Sequence, residues 1–135
     1  MGTLHRFSGT EDHFDWENVK SLHYAEGSAK GVSGKIMIGT DDGAEHFVFR
    51  YFCVEAGGHS ALNDYHVHPH GVMILHGHAL VTVEDKQYEM GPRDVIFIGP
   101  WEHHSLAAVG DEPMGFLCVI PHKDLLAKLD SAKQK

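Results

Sequence analysis

Apolar residues in this chain come in short runs separated by Gly, Pro and Asp, and the runs mix β-branched and aromatic residues. Residues 19–24, 32–38 and 45–55 each read as a strand on that pattern. The longest run places Phe47, Phe49, Tyr51 and Cys53 on one face and Val48, Arg50, Phe52 and Val54 on the other. Asp41-Asp42-Gly43 marks the turn before it, and Gly57-Gly58 is expected to turn the chain after it. Further strands are predicted at 72–75, 79–83, 95–98, 105–109 and 116–120. Gly77 between the first two of these predicts a hairpin with His76 and His78 exposed at its tip. A second hairpin turn is predicted near 84–87, and His103 and His104 fall in a strand beginning near Trp101.

About nine or ten short strands, bounded by turn residues at roughly 8–12-residue spacing, predict an all-β sandwich or barrel rather than an α/β fold. Only 124–133 is helical in pattern, with Leu125, Leu126 and Leu129 on one stripe. The pattern divides one domain into a polar arm over 1–31, a barrel over 32–121 and a helical tail over 122–135. Composition is that of a globular protein: 42% of the 135 residues are apolar, which excludes intrinsic disorder. A net charge of -8 without a basic run excludes a phosphate-backbone footprint, so nucleic acid is not an expected partner. No apolar stretch approaches the ~20 residues of a membrane-spanning helix. Cys53 and Cys118 sit inside apolar runs and read as buried free thiols of a reducing compartment. With no apolar leader at the N-terminus, a cytoplasmic location is expected.

The unusual count is 13 histidines, spread through the chain rather than gathered in a tag-like run. Three stand in Tyr65-His66-Val67-His68-Pro69-His70-Gly71, where His66, His68 and His70 share one face if the segment is extended. Pro69 lacks a ladder donor, which places the stretch at an edge, bulge or loop. Imidazole nitrogens converging on one point suit a divalent transition metal, whereas solvated histidines on a polar strand are the plain alternative. His103 and His104 are neighbours, so at most one of them joins the same face. Arg50 on an otherwise apolar face reads either as an anchor for a substrate anion or as half of an ion pair. Tyr51 and Trp101 are further candidates for a pocket wall.

The run from His66 to Pro100 and His104 resembles the cupin superfamily, in its small single-domain bacterial form. The first motif of that family reads Gly, five residues, His-x-His, three or four residues, Glu, six residues, Gly, and six residues separate His70 from Gly77. The second motif is matched in Asp94, in the apolar run 95–98 and in His104. Arg93 and Trp101 stand where that motif has glycine. The resemblance implies a double-stranded β-helix, or jelly-roll barrel, with a short C-terminal helix. It implies one divalent transition metal ion (Zn, Ni, Mn, Fe or Cu) on His66, His68, His70 and His104, a homodimer, and a small-molecule ligand. Four neutral imidazoles would leave such an ion its full charge. The activity expected first is that of a non-haem dioxygenase or related oxidoreductase. A Lewis-acid isomerase, lyase or cyclase and a non-catalytic ligand-binding barrel are the alternatives, since one fold hosts all three. The polar arm 1–31 is the segment expected to exchange in the dimer.

Overall fold

The structure, a computed structural model, describes residues 2–22 and 27–133, with side chains as far as 128 in the final helix. Nine strands form: β1 (Lys20–Leu22), β2 (Lys30–Ile38), β3 (Phe47–His59), β4 (His70–His76), β5 (His78–Val83), β6 (Lys86–Met90), β7 (Val95–Ile98), β8 (His104–Val109) and β9 (Met114–Pro121). Among the described residues one α-helix, α1 (Lys123–Lys133), follows the strands, and a short 3-10 turn spans Thr40–Asp42. Part of the strand expected over 19–24 and the side chain of Leu129 lie outside the described residues. Leu125 and Leu126 are half-buried, as one apolar stripe requires. No helix among the described residues is long and apolar enough to cross a membrane.

All strand pairs are antiparallel. They run in the hydrogen-bonded order β6-β5-β8-β3-β9-β4-β7, with β2 on the other edge of β3 and β1 on β2. This is the jelly-roll barrel, nearly closed, that the strand count and the resemblance both predict. Its core draws on both halves: Phe52 and Val54 from β3, Val72 and Ile74 from β4, Val81 from β5, Leu106 from β8, and Met114 and Phe116 from β9.

Two glycine sites differ from the expected turns, and both differences shape the barrel. Gly57-Gly58 does not end the strand; β3 bends there and continues to His59. Before the bend β3 pairs with β2 and β9, and at its end His59 pairs with Ala107 of β8. A Cβ at Gly58 would sit 2.5 Å from the Lys30 carbonyl oxygen, so only glycine lets the strand cross from one half of the barrel to the other. Gly77 likewise makes a corner rather than a hairpin. β4 pairs with β7 and β9, while β5 pairs with β6 and β8. One residue is too short a connection for an antiparallel hairpin, and Gly77 has a left-handed φ of 72° against the Pro113 carbonyl. The β5–β6 hairpin forms as expected, with Val83 opposite Lys86 and Glu84 at φ 54°.

Arg93 and Trp101, which occupy glycine positions of the family motif, keep the glycine-type backbone with φ of 75° and 63°. The loop shape therefore survives the loss of both glycines, at a cost of about 1–2 kcal/mol per residue. Replacing the exposed Arg93 by glycine is expected to raise stability by about 0.5–1 kcal/mol, because relief of that strain outweighs the added freedom of the unfolded chain. Denaturant unfolding of Arg93→Gly beside the parent protein checks it.

Candidate metal centre

Residues 60–69 connect β3 to β4 as an irregular loop, and backbone pairing fixes that loop to β8. Ser60 N–H donates to the Leu106 carbonyl at 2.8 Å, and Leu106 N–H donates back to Ser60 Oγ at 2.8 Å. Farther along, Asp64 N–H donates to the His104 carbonyl at 2.8 Å and His104 N–H returns to the Asp64 carbonyl at 3.0 Å. The Trp101 N–H closes the frame on the His66 carbonyl at 2.9 Å. His70 follows at the start of β4, opposite Ile98 of β7.

This frame brings His66, His70 and His104 together, with their ligand nitrogens all within 4.8 Å of one another. Each ring is held from behind through Nδ1. His66 Nδ1–H donates to the His68 carbonyl and His104 Nδ1–H to the Glu102 carbonyl, both at 2.9 Å. A carbonyl only accepts, so these bonds set the tautomer and leave the Nε2 lone pair facing inward. His70 Nδ1 lies 3.0 Å from Cys118 Sγ, and its Nε2 is 2.9 Å from that of His66. Lone pairs so close repel unless a cation or proton lies between them, which is the donor chemistry of a divalent-metal site.

The electrostatics hold His66, His68 and His70 below the ordinary imidazole range. Burial, reinforced by the surrounding imidazoles and by Arg50, lowers His70 to about 2. Burial and His66 lower His68 to about 4, and burial also lowers His66. Neutral imidazole is the ligand form, so the site is set to accept a cation at neutral pH. The rings open on a cavity of about 210 Å³ that Arg50, Asp64, Phe52 and Phe116 also line. Arg50 donates from Nη2 to Cys118 Sγ at 3.3 Å and lies 4.9 Å over the Phe52 ring. Its Nε is buried without a partner, and no carboxylate among the described residues forms an ion pair with it.

The structure thus groups three of the four expected histidines and places the fourth beside them. The His68 ring stacks on that of His66, with centroids 3.7 Å apart and planes 3° from parallel. Of the pocket candidates, Arg50 lines the cavity, whereas Tyr51 and Trp101 do not. Tyr51 faces the opposite side of β3, where its O–H donates to His76 Nε2 at 2.5 Å. His76 is therefore half-buried and engaged rather than exposed at a tip; its Nδ1–H donates to the Pro113 carbonyl at 3.3 Å. Trp101 packs on Tyr65, which also stacks on His103, so His103 turns outward while His104 faces the cavity.

One residue escaped the sequence reading. The Asp64 carboxylate stands 3.5 Å from His66 Nε2 and 3.7 Å from His104 Nε2. Its signal was in the spacing: Gly58, five residues, Asp64-x-His66, three residues, His70, six residues, Gly77 matches the whole first motif with Asp in the place of its first His. Anchoring the motif on the paired imidazoles of His66-x-His68 hides this register.

A jelly-roll barrel with convergent imidazoles lining its cavity defines a barrel whose histidines could hold a metal ion. The cupin domain family matches residues 50–120, and the chain belongs to it. It is 35% identical over 117 residues to the 1-methylthio-D-xylulose 5-phosphate methylsulfurylase of Rhodospirillum rubrum, spanning 84% of this chain and 73% of the relative. Among solved structures, a cupin-2 domain from Rhodospirillum rubrum superposes with a TM-score of 0.72 at 32% identity, covering 93% of this chain and 90% of the other. The polyketide cyclase RemF of Streptomyces resistomycificus gives 0.70 at 30% identity, covering 77% and 74%.

Two outcomes follow from this geometry. The unfolded chain takes up protons near the ordinary histidine value of ~6.5 while the folded site resists them. Stability of the chelator-treated protein should therefore be full above that pH and fall as pH drops toward 4, where His68 also protonates in the fold. Melting curves across that range check it, with His68→Asn flattening the slope. Cys118→Ala, which removes the partner behind His70, is expected to weaken Zn²⁺ affinity by about tenfold or more, measured by chelator competition.

Proposed function

We propose that the protein is a metal-dependent enzyme that acts as a Lewis acid on a small oxygenated substrate carrying a phosphate or carboxylate. The observation that carries this reading is Arg50, a guanidinium lining the same cavity as the three convergent imidazoles and lacking any carboxylate partner among the described residues. Buried cations without a counter-charge are costly, and an anionic ligand end supplies the missing charge. The relative from Rhodospirillum rubrum supports the same class, since its name specifies a phosphorylated ketose.

His66, His70 and His104 would hold the ion, with Asp64 as the fourth group and His68 stacked behind His66. A divalent ion there supplies polarisation of a carbonyl or enol oxygen, which acidifies the adjacent C–H. Asp64 would then soften the charge that four imidazoles would have left whole, its Oδ2 facing His66 and His104 while Oδ1 accepts the Tyr65 N–H at 3.1 Å. Arg50 orients the anionic end, and Phe52, Val72 and Phe116 exclude water from the reacting end of the cavity.

The test begins with elemental analysis of protein purified without a metal column. About one equivalent of a divalent ion is expected, lost in His104→Ala and Asp64→Ala but retained in His68→Ala. With metal retained, Arg50→Ala should weaken binding of inorganic phosphate by about tenfold or more, read by calorimetry. Unchanged phosphate affinity, or metal retained in His104→Ala, overturns the reading. Oxygen uptake that depends on added ketose phosphate would replace Lewis-acid chemistry by the dioxygenase activity first expected.

A further inference from the structure

The N-terminal arm folds back on itself before it meets the barrel. Glu17 N–H donates to the Arg6 carbonyl at 2.8 Å and Ser8 N–H to the Asp15 carbonyl at 3.0 Å, closing a hairpin bridged at Phe7 and Trp16. Phe14 and Trp16 dock this hairpin on Tyr51, with ring centroids 6.1 and 5.1 Å away, and Lys35 of β2 reaches Asp15 at 3.1 Å. Its outer end is held by His5, which reaches the short turn Thr40–Asp42.

The His5 contact differs from the others because both ring nitrogens face atoms that only accept. Nδ1 lies 2.9 Å from the Glu17 carbonyl oxygen, and Nε2 lies 2.6 Å from Asp42 Oδ1. A neutral imidazole has one N–H and one lone pair and can satisfy only one of these acceptors, whereas the imidazolium satisfies both. The turn presents Asp42 for this contact. Asp42 Oδ2 takes the Gly39 N–H at 3.0 Å, and the neighbouring Asp41 is occupied by Lys20 of β1. The Glu17 carbonyl and the Asp42 carboxylate together hold the His5 ring above the ordinary histidine value.

His5 also governs a wall of the cavity. Glu17 stands three residues before β1, and Asn18 turns the chain between them at a left-handed φ of 58°. β1 ends at Leu22, which lines the metal-centre cavity on one side and a groove under the hairpin, shared with Phe14, Tyr51 and His76, on the other. We propose that the arm is a proton-operated strap: doubly protonated His5 pins it across the barrel, and loss of the second proton loosens both the arm and the Leu22 wall behind it. Below ~6.5 the ring is charged in the folded and the unfolded chain alike, so the strap is tight. As pH rises through the raised value of the folded chain, a lone pair comes to face an acceptor and the contribution is lost. His76, beside Phe14, keeps its form over that rise, because burial already holds it neutral.

The test is a titration of the full chain from about pH 6 to 9, with the His5 ring and the Leu22 methyls followed by proton NMR. Acrylamide quenching of Trp16 fluorescence, in a Trp101→Phe background, reports the arm. The His5 midpoint should lie above ~6.5, and the Leu22 signals should move with it. Quenching should rise about two- to fivefold across the same midpoint, the scale of an exposed ion pair. His5→Gln should show the high quenching at every pH, and Asp42→Asn should return the ring midpoint toward ~6.5. The control His13→Gln, in the exposed turn of the arm, should titrate as the parent does. Far-ultraviolet dichroism matching the parent separates a lost strap from a lost fold. A His5 midpoint at or below ~6.5 overturns the proposal, as does quenching whose pH dependence survives His5→Gln, or a Leu22 signal that does not follow the His5 midpoint.

Discussion

The structure turns on the paired backbone hydrogen bonds between Asp64 and His104. They join a loop to the start of a strand far along the chain, beside the cavity that His66, His70 and His104 line. The pairing places the Asp64 carboxylate beside two imidazoles and aims the His104 ring, only 4% exposed, into the cavity. A junction between segments so distant in sequence costs loop-closure entropy, which the core residues shared by β3, β4, β8 and β9 offset by burial. Glycine matters here through geometry: β3 reaches β8 only because Gly58 tolerates the Lys30 carbonyl against its Cα.

Beside that junction three imidazoles converge in a geometry that could hold a metal ion. Carbonyls of His68 and Glu102 fix two rings with their lone pairs inward, and Cys118 stands behind the third. Burial does most to keep His66, His68 and His70 neutral, with Arg50 adding to it at His68 and His70. The same sulfur of Cys118 receives Arg50 and contacts His70, so the guanidinium and the convergent imidazoles of the cavity share one support.

The outer surface follows a different logic. On most of the barrel polar residues face water, but the strands that carry His70 and Cys118 inward carry Gly71, Met73, Leu117 and Val119 outward. The same alternation that builds the metal centre on one side therefore builds an apolar face on the other, and the two are separated by the thickness of a single sheet.

The sequence by itself determined the strands and the donor set. Runs at 95–98, 105–109 and 116–120 became β7, β8 and β9 almost residue for residue, because alternation and turn residues are local properties. His66, His70 and His104 were legible as ligand types, and Arg50 as an anomaly on an apolar face. Tertiary structure decided what depends on partners. Gly57-Gly58 and Gly77 are compatible with a turn or a corner, and only the strands that flank them choose the corner. Tyr51 and Trp101 left the cavity because strand parity and a left-handed backbone send them outward. Asp64 entered it because β8 pairs with the loop that carries it. A carboxylate's role depends on which lone pairs and charges surround it, and here those neighbours arrive only once the chain has closed into a barrel.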